Sequence, residues 1–160
     1  MPKPDKTNAM RALERMGIPY EALAYPNDGT ALDAVAVAGL LGAPPDQVYK
    51  TLVLSGSDRR HYVCVVPGDG ELDLKLAAAH FGLKSMAMLP PVQLKDVTGY
   101  ERGGCSPVGM KKALACAVDA RAQGLSDVIV SGGRIGIQIK LSPDDLLRAA
   151  GAAYAPLCRP

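Results

Sequence analysis

The apolar residues of this chain recur at two different spacings, which predict both short helices and short strands. Met10, Leu13 and Met16 lie at helical spacing between Thr7, a residue suited to an N-cap, and Gly17. A capping residue followed by apolar positions predicts four more helices in the same way. These are expected at 32–41 with Thr30 as the cap, at 74–81 after Asp73, shortly after Pro91, and after Ser142-Pro143.

Runs of aliphatic and β-branched residues predict the strands. Two of these runs flank Gly56-Ser57-Asp58-Arg59 and predict a β-hairpin. The expected strands are 18–25, 48–54, 62–66, 85–88, 114–118, 127–130, 135–141 and 153–157. Because the elements do not alternate as regular βαβ units, we expect an α+β fold. Its mixed, mostly antiparallel sheet should curl into a partly open barrel surrounded by helices.

Composition places the chain among folded globular proteins. Its 160 residues are 48% apolar and 21% charged, and no linker or low-complexity tract interrupts them, so we expect one domain over residues 1–160. Only 4% of the residues are aromatic, so the core should be aliphatic. A net charge of +2 permits a nucleic-acid partner without indicating one.

The cysteines and histidines do not form a recognisable metal site. Cys64, Cys105, Cys116 and Cys158 include no C-x-x-C pair, and there are only two histidines. We therefore expect no metal and no cofactor. The polar N-terminus lacks an apolar leader and no run approaches a membrane span, so the sequence predicts a cytoplasmic protein with reduced thiols.

Lys50 lies within an apolar run that otherwise has the pattern of a buried strand. Strand alternation places it on the same face as Val48 and Leu52, where an ammonium group is costly unless it reaches water or a polar cavity. An edge-strand lysine, or one whose stem covers the core, would show the same pattern. The apolar neighbours favour a cavity.

A second unusual segment is the loop 103–109, which begins with two glycines and is followed by Lys111 and Lys112. It lacks the spacing of a Walker loop or of a nucleophile elbow, and Gly-Gly is commonest in ordinary turns. Ser106 and Pro107 nevertheless stiffen the loop. Its backbone amides could therefore bind a carbonyl or a phosphate.

Two further candidates are set aside. The glycines of 131–136 resemble a dinucleotide fingerprint, but strands on both sides predict a turn between strands, although Ser131 could still line a pocket. Cys105 has no histidine with a claim to activate it, so we expect an inert thiol.

Taken together, these segments resemble the YbaK family of aminoacyl-tRNA deacylases, which are relatives of the editing domain of bacterial prolyl-tRNA synthetases. The matching segments follow one another in unbroken order over nearly the whole chain and fit the branch that acts on Cys-tRNA(Pro). They are 6–11, 17–20, 47–53, 71–75, 98–100, 103–109 with Lys111-Lys112, and 130–134.

The resemblance implies a trans-editing enzyme that removes misattached cysteine from tRNA(Pro), with the substrate's own thiol attacking its ester carbonyl. It implies Lys50 as the catalytic lysine. It also implies substrate contacts by Tyr25, Thr30, Thr51, Gly103, Gly104, Ser106, Pro107, Ser131 and Gly132. Cys105 replaces the aliphatic residue usual in the family, and the segment 27–41 looks rearranged.

Several alternatives stay open. The amino acid removed could be alanine or serine, or the chain could be a non-catalytic module that binds tRNA. The expected partner is the acceptor end of an aminoacyl-tRNA, with prolyl-tRNA synthetase as a further partner that supplies tRNA selectivity. Lys111 and Lys112 could contact phosphates of the tRNA acceptor end or could be a solvated pair.

Overall fold

A computed structural model describes residues 6–159. The helices of this part are α1 (Asn8–Met16), α2 (Ala34–Leu41), α3 (Leu74–Phe81), α4 (Leu94–Thr98) and α5 (Pro143–Ala150), with short 3-10 turns at Pro91–Gln93 and Ala120–Gly124. The strands are β1 (Glu21–Ala24), β2 (Tyr49–Gly56), β3 (His61–Pro67), β4 (Met86–Met88), β5 (Ala115–Asp119), β6 (Val128–Arg134), β7 (Ile137–Leu141) and β8 (Ala152–Ala155).

Local capping explains where the first and last helices begin. The Thr7 hydroxyl accepts a hydrogen bond from the Met10 amide at 3.1 Å, and α1 ends at Gly17 in the left-handed conformation. At α5, the Ser142 hydroxyl accepts from the Asp145 amide at 3.1 Å, directly before the proline that begins the helix. Both helices confirm the predicted caps.

The predicted cap of α2 was wrong. The helix begins two residues later than expected, and the Asp33 carboxylate caps it by accepting from the Ala36 amide at 2.8 Å. Thr30 instead lies in a turn, where its amide donates to Oδ1 of Asp28 at 2.9 Å. Side chains of this kind compete with a helix for nearby amides, and here the turn prevails.

The strands form two sheets. One has five strands in the order β4-β2-β3-β5-β8, and the other has three in the order β1-β7-β6. Only the pairs β3–β5 and β5–β8 are parallel among the six strand pairs of the described chain. An isolated parallel bridge between Val48 and Ile129 joins the sheets. The mixed, mostly antiparallel α+β architecture is confirmed, as two sheets that do not close.

The core fills the space between the sheets with aliphatic side chains. Its largest cluster combines buried residues of α1 and α5 with residues of both sheets, Leu13, Val63, Ile139 and Leu146 among them. A smaller cluster, in which Val37 of α2 packs with Tyr25, Val48 and Ile129, covers the junction of the sheets. This second cluster brings the start of α2 over the start of β2, where the candidate site lies.

Candidate functional site

A cavity of about 170 Å³ lies between the start of α2 and the junction of the two sheets. Four segments distant in sequence form its walls, and each contributes at least one polar or small residue. The lining residues are Leu32, Asp33, Ala34 and Val37 at the start of α2, Val48, Tyr49, Lys50 and Thr51 at the start of β2, Gly103 and Cys105 of the loop 103–109 (the glycine loop), and Ser131 and Gln138 of β6 and β7. The cavity lining therefore combines one cation and one carboxylate with several neutral hydrogen-bonding groups.

Lys50 is the second residue of β2 and is half-buried in the wall of this cavity. Its ammonium group donates a hydrogen bond to the carbonyl oxygen of Gly70 at 2.9 Å. No carboxylate among residues 6–159 forms an ion pair with it. An ammonium has three donors, so two remain for other oxygen atoms. The charge is thus fixed in place without being neutralised.

The loop that supplies this carbonyl is held against the cavity by close packing. The Gly68 amide donates to the Val48 carbonyl at 2.7 Å. A Cβ atom at Gly68 would lie 2.6 Å from Cβ of Ala34 and 2.8 Å from the Val48 oxygen, so no larger residue fits there. This loop was not singled out from the sequence, because a carbonyl acceptor has no signature in residue identity.

Gly103 places the glycine loop against the opposite wall. Its φ of 83° favours glycine, and an added Cβ would lie 2.7 Å from Cβ of Ala31 and 3.2 Å from Cγ1 of Ile135. The Gly104 amide is used within the loop, where it donates to the Glu101 carbonyl at 3.0 Å. By contrast, the amides of Gly103 and Cys105 have no acceptor among the described residues.

Two hydroxyl groups complete the polar part of the lining. Ser131 accepts a hydrogen bond from the Gly133 amide at 3.2 Å and keeps its own proton to donate. Thr51 also lines the cavity, and its buried Oγ1 has no partner among the described residues. The Tyr49 hydroxyl, from the same strand, is likewise buried with no partner among those residues.

Gln138 and Asp33 line the cavity but were missed from the sequence. Gln138 is 5% exposed and pairs with Ser131 across β6 and β7. Its signal was misleading, because a polar residue between Ile137 and Ile139 is typical of a solvated strand face. The tertiary approach of α2 and β2 buries that face. Asp33 could have been found as the better capping residue of α2.

Four predicted site residues, Lys50, Thr51, Gly103 and Ser131, meet in this cavity. Tyr25 lies one layer behind it, 5% exposed and packed in the cluster with Val37 and Val48, which line the cavity themselves. Thr30 is exposed and outside the lining. A direct substrate contact by either residue stays a prediction.

Four more predicted residues pack the loop and the strand rather than line the cavity. Gly104 faces a neighbouring cleft, and Pro107 lies in a groove near α1. Ser106 is fully buried, and its hydroxyl accepts from the Val108 amide at 3.2 Å. Gly132 is buried against β7, where a Cβ would lie 2.7 Å from Cγ2 of Ile137. None of the four lines the cavity, and a contact of any of them with substrate stays a prediction.

The cavity contains a thiol, but its environment disfavours the thiolate. Burial raises the pKa of Cys105 from 9.0 to about 11, so the protonated form dominates near neutral pH. His61 and His80 are absent from the lining. Within residues 6–159, no group of three or more His, Cys, Asp or Glu side chains is placed to hold a metal ion. None of the helices described is long and apolar enough to span a bilayer.

Comparisons with known proteins identify the family. The family model of the aminoacyl-tRNA editing domain matches residues 29–149. "Putative Cys-tRNA(Pro)/Cys-tRNA(Cys) deacylase EbsC" of Enterococcus faecalis is 41% identical over 152 residues, which cover 95% of this chain and 93% of that protein. A proline–tRNA ligase of Fervidobacterium nodosum is 30% identical over 112 residues, which are 70% of this chain and 19% of the ligase.

The fold agrees with these matches. The crystal structure of "a putative trans-editing enzyme for prolyl tRNA synthetase" superposes with a TM-score of 0.85 at 28% identity, covering 96% of each chain. The family-model match includes every lining residue of the cavity, from Leu32 to Gln138. The chain belongs to the aminoacyl-tRNA editing domain family.

Proposed function

We propose that this protein is a trans-editing deacylase, a single editing domain that removes cysteine misattached to tRNA(Pro). The observation that carries the proposal is the small cavity that Lys50 and the Gly103 loop line together. An apolar cavity of about 150 Å³ can hold benzene, which has about six non-hydrogen atoms. A cavity of 170 Å³ therefore has room for a cysteinyl, alanyl or seryl group.

A separate editing site is needed because the selectivity of the synthetase for its amino acid is physically limited. A pocket shaped for proline cannot strongly reject a slightly smaller amino acid, because one missing methylene is worth only about 1–3 kcal/mol. The mischarged product must then be cleared elsewhere. Its aminoacyl ester is already activated, so positioning and polarisation of the carbonyl can suffice.

In the proposed reaction the substrate supplies the nucleophile. The cysteinyl sulfur attacks its own ester carbonyl, the carbon–oxygen bond to the terminal ribose breaks, and the thiol proton passes to the ribose oxygen. The products are a cyclic thiolactone and free tRNA. This route needs no thiolate from the protein, which agrees with the raised pKa of Cys105.

The lining residues then bind and orient the ester. Lys50 uses its two remaining donors on the ester or ribose oxygens, while the amides of Gly103 and Cys105 hold the carbonyl oxygen as charge develops on it. The Ser131 hydroxyl donates to a polar atom of the amino acid, and Thr51 lines the same cavity. The substrate is bound through its acceptor end in the cytoplasm, and prolyl-tRNA synthetase supplies tRNA selectivity.

A deacylation panel tests the proposal. The protein is incubated with tRNA(Pro) charged separately with cysteine, alanine, serine or proline, and with Cys-tRNA(Cys), which the name of the Enterococcus faecalis relative includes. We expect cysteine to be released fastest from tRNA(Pro). A preference for alanine or serine would identify a different editing substrate, and no release above the protein-free rate would leave a non-catalytic tRNA-binding module.

A second substrate isolates the chemistry. 2-Aminobutyryl-tRNA(Pro) has a methyl group in place of the thiol, so it is nearly the same size and has no nucleophile to attack the ester. We expect its release to fall to the protein-free rate, because the nucleophile is missing. Release at the cysteinyl rate would instead indicate hydrolysis by water and would contradict the thiolactone route.

A further inference from the structure

A second and larger concavity lies beside the cavity, on the other side of the glycine loop. It has a volume of about 610 Å³ and is lined at its rim by Lys6, Lys95 and Arg134, with Asn8 at the first turn of α1. Glu101 is its only acidic lining residue among those described. We call this concavity the basic cleft.

The cavity and the basic cleft share one thin wall. Gly103 lines the cavity and the next residue, Gly104, lines the cleft. Ile135 of the cleft approaches Gly103 so closely that an added Cβ would lie 3.2 Å from its Cγ1. Segments 27–34 and 131–138 likewise contribute residues to both concavities. The two concavities therefore adjoin each other on either side of the Gly103-Gly104 backbone.

The charges of the cleft suit an anionic polymer. The side chains of Lys6 and Lys95 are 58% and 71% exposed, and their partners Glu14 and Glu101 are 41% and 76% exposed. Exposed ion pairs of this kind contribute little, so a phosphate can replace a carboxylate at small cost. The positive end of the α1 dipole, next to Asn8, adds to the attraction.

We propose that the basic cleft binds the phosphate backbone of the terminal nucleotides while the aminoacyl group occupies the cavity. This inference rests on the proposed function and names the surface that the function requires. The volumes agree with the assignment, because the cavity has room for an amino acid and the larger cleft has room for nucleotides. The phosphate contacts are assigned to Lys6, Lys95 and Arg134, which line the cleft, and not to Lys112, which lines a different groove.

Binding of uncharged tRNA(Pro), measured by fluorescence anisotropy at several salt concentrations, tests the cleft separately from the chemistry. Lys95→Glu reverses one rim charge. Asn8→Glu adds a negative charge to the first turn of α1, where an acid favours the helix, so this variant should fold. Lys84→Glu is the matched control, because Lys84 is exposed and lies outside the lining of the cleft.

We expect Lys95→Glu and Asn8→Glu each to weaken binding at least about threefold, and Lys95→Glu to reduce the salt slope by about 0.7. Lys84→Glu should bind like the wild type. In single-turnover deacylation, both cleft variants should need more enzyme for half-saturation and reach the wild-type rate at saturation. If both bind tRNA like Lys84→Glu while the wild-type protein deacylates, the cleft assignment is wrong and the proposed function stands. If the wild-type protein releases no amino acid, the proposed function fails instead.

Discussion

Replacing Lys50 by methionine is the most direct test of the site. The substitution keeps an unbranched apolar stem in the cavity wall and removes the ammonium, which donates to the Gly70 carbonyl at 2.9 Å. If its remaining donors bind the substrate ester, the variant lacks one preorganised donor at the reacting group. Removal of such a donor lowers a rate by about 10²–10³-fold. We expect that loss in the single-turnover rate of Cys-tRNA(Pro) deacylation at saturating enzyme.

The same change should have a small effect on folding. A hydrogen bond from a charged group contributes about 1.5–3 kcal/mol at most, and methionine recovers part of this by packing. A net loss of about 1 kcal/mol would lower the Tm by about 2–4 °C in a chain of this size. Thermal unfolding followed by circular dichroism therefore separates a lost functional group from a lost fold.

Lys140→Met is the matched control. Lys140 also lies on a strand, forms an ion pair with Glu21 at 3.2 Å, and has a side chain that is 33% exposed, but it does not line the cavity. We expect this variant to deacylate at the wild-type rate. The reasoning would be refuted if Lys50→Met retained more than about a tenth of the wild-type rate, or if Lys140→Met lost as much activity.

Three further predictions concern the walls of the cavity. Cys105→Ala should deacylate at the wild-type rate. In the wild-type protein, iodoacetamide should modify this thiol about 100-fold more slowly than a free cysteine at pH 7.5, because burial raises its pKa from 9.0 to about 11. For the same reason the folded state binds this proton more tightly, so its contribution of up to about 3 kcal/mol is complete below pH 9 and is lost as the pH rises through 11. Above pH 9 the Tm should accordingly fall less steeply with rising pH in Cys105→Ala than in the wild type. Gly103→Ala should lower the free energy of unfolding in urea by about 1–3 kcal/mol, because its Cβ would lie 2.7 Å from Cβ of Ala31. The control Gly39→Ala lies in open space within α2 and should raise the free energy of unfolding by up to about 1 kcal/mol. Equal effects of the two substitutions would contradict the packing described.

Local sequence signals predicted most of the fold. The caps at Thr7 and Ser142 and the hairpin around Gly56 depend on residues only a few positions apart, and the structure confirms all three. Lys50 was found for a related reason. A charge between apolar residues of one strand face stands out without knowledge of any partner.

The remaining parts of the site depend on contacts between distant segments, which local patterns do not encode. Gln138 has the pattern of a solvated residue, yet the approach of α2 and β2 buries it. The acceptor for Lys50 is the backbone oxygen of Gly70, twenty residues away, and any residue type would offer the same atom. The cap of α2 was misplaced because Thr30 and Asp33 are both good capping residues and only the turn at 27–30 decides between them.

The tether between Lys50 and a main-chain oxygen has a consequence for selectivity. A carboxylate in that place would neutralise the positive charge and compete with any incoming oxygen ligand. The neutral carbonyl of Gly70 orients the ammonium and leaves its charge uncompensated. In the proposed reaction the ammonium would attract ester oxygens whichever amino acid they carry. Discrimination between amino acids must then come from the size of the cavity and from the reactivity of the bound side chain. Enlarging the cavity should therefore broaden the range of esters accepted without lowering the affinity for each ester group.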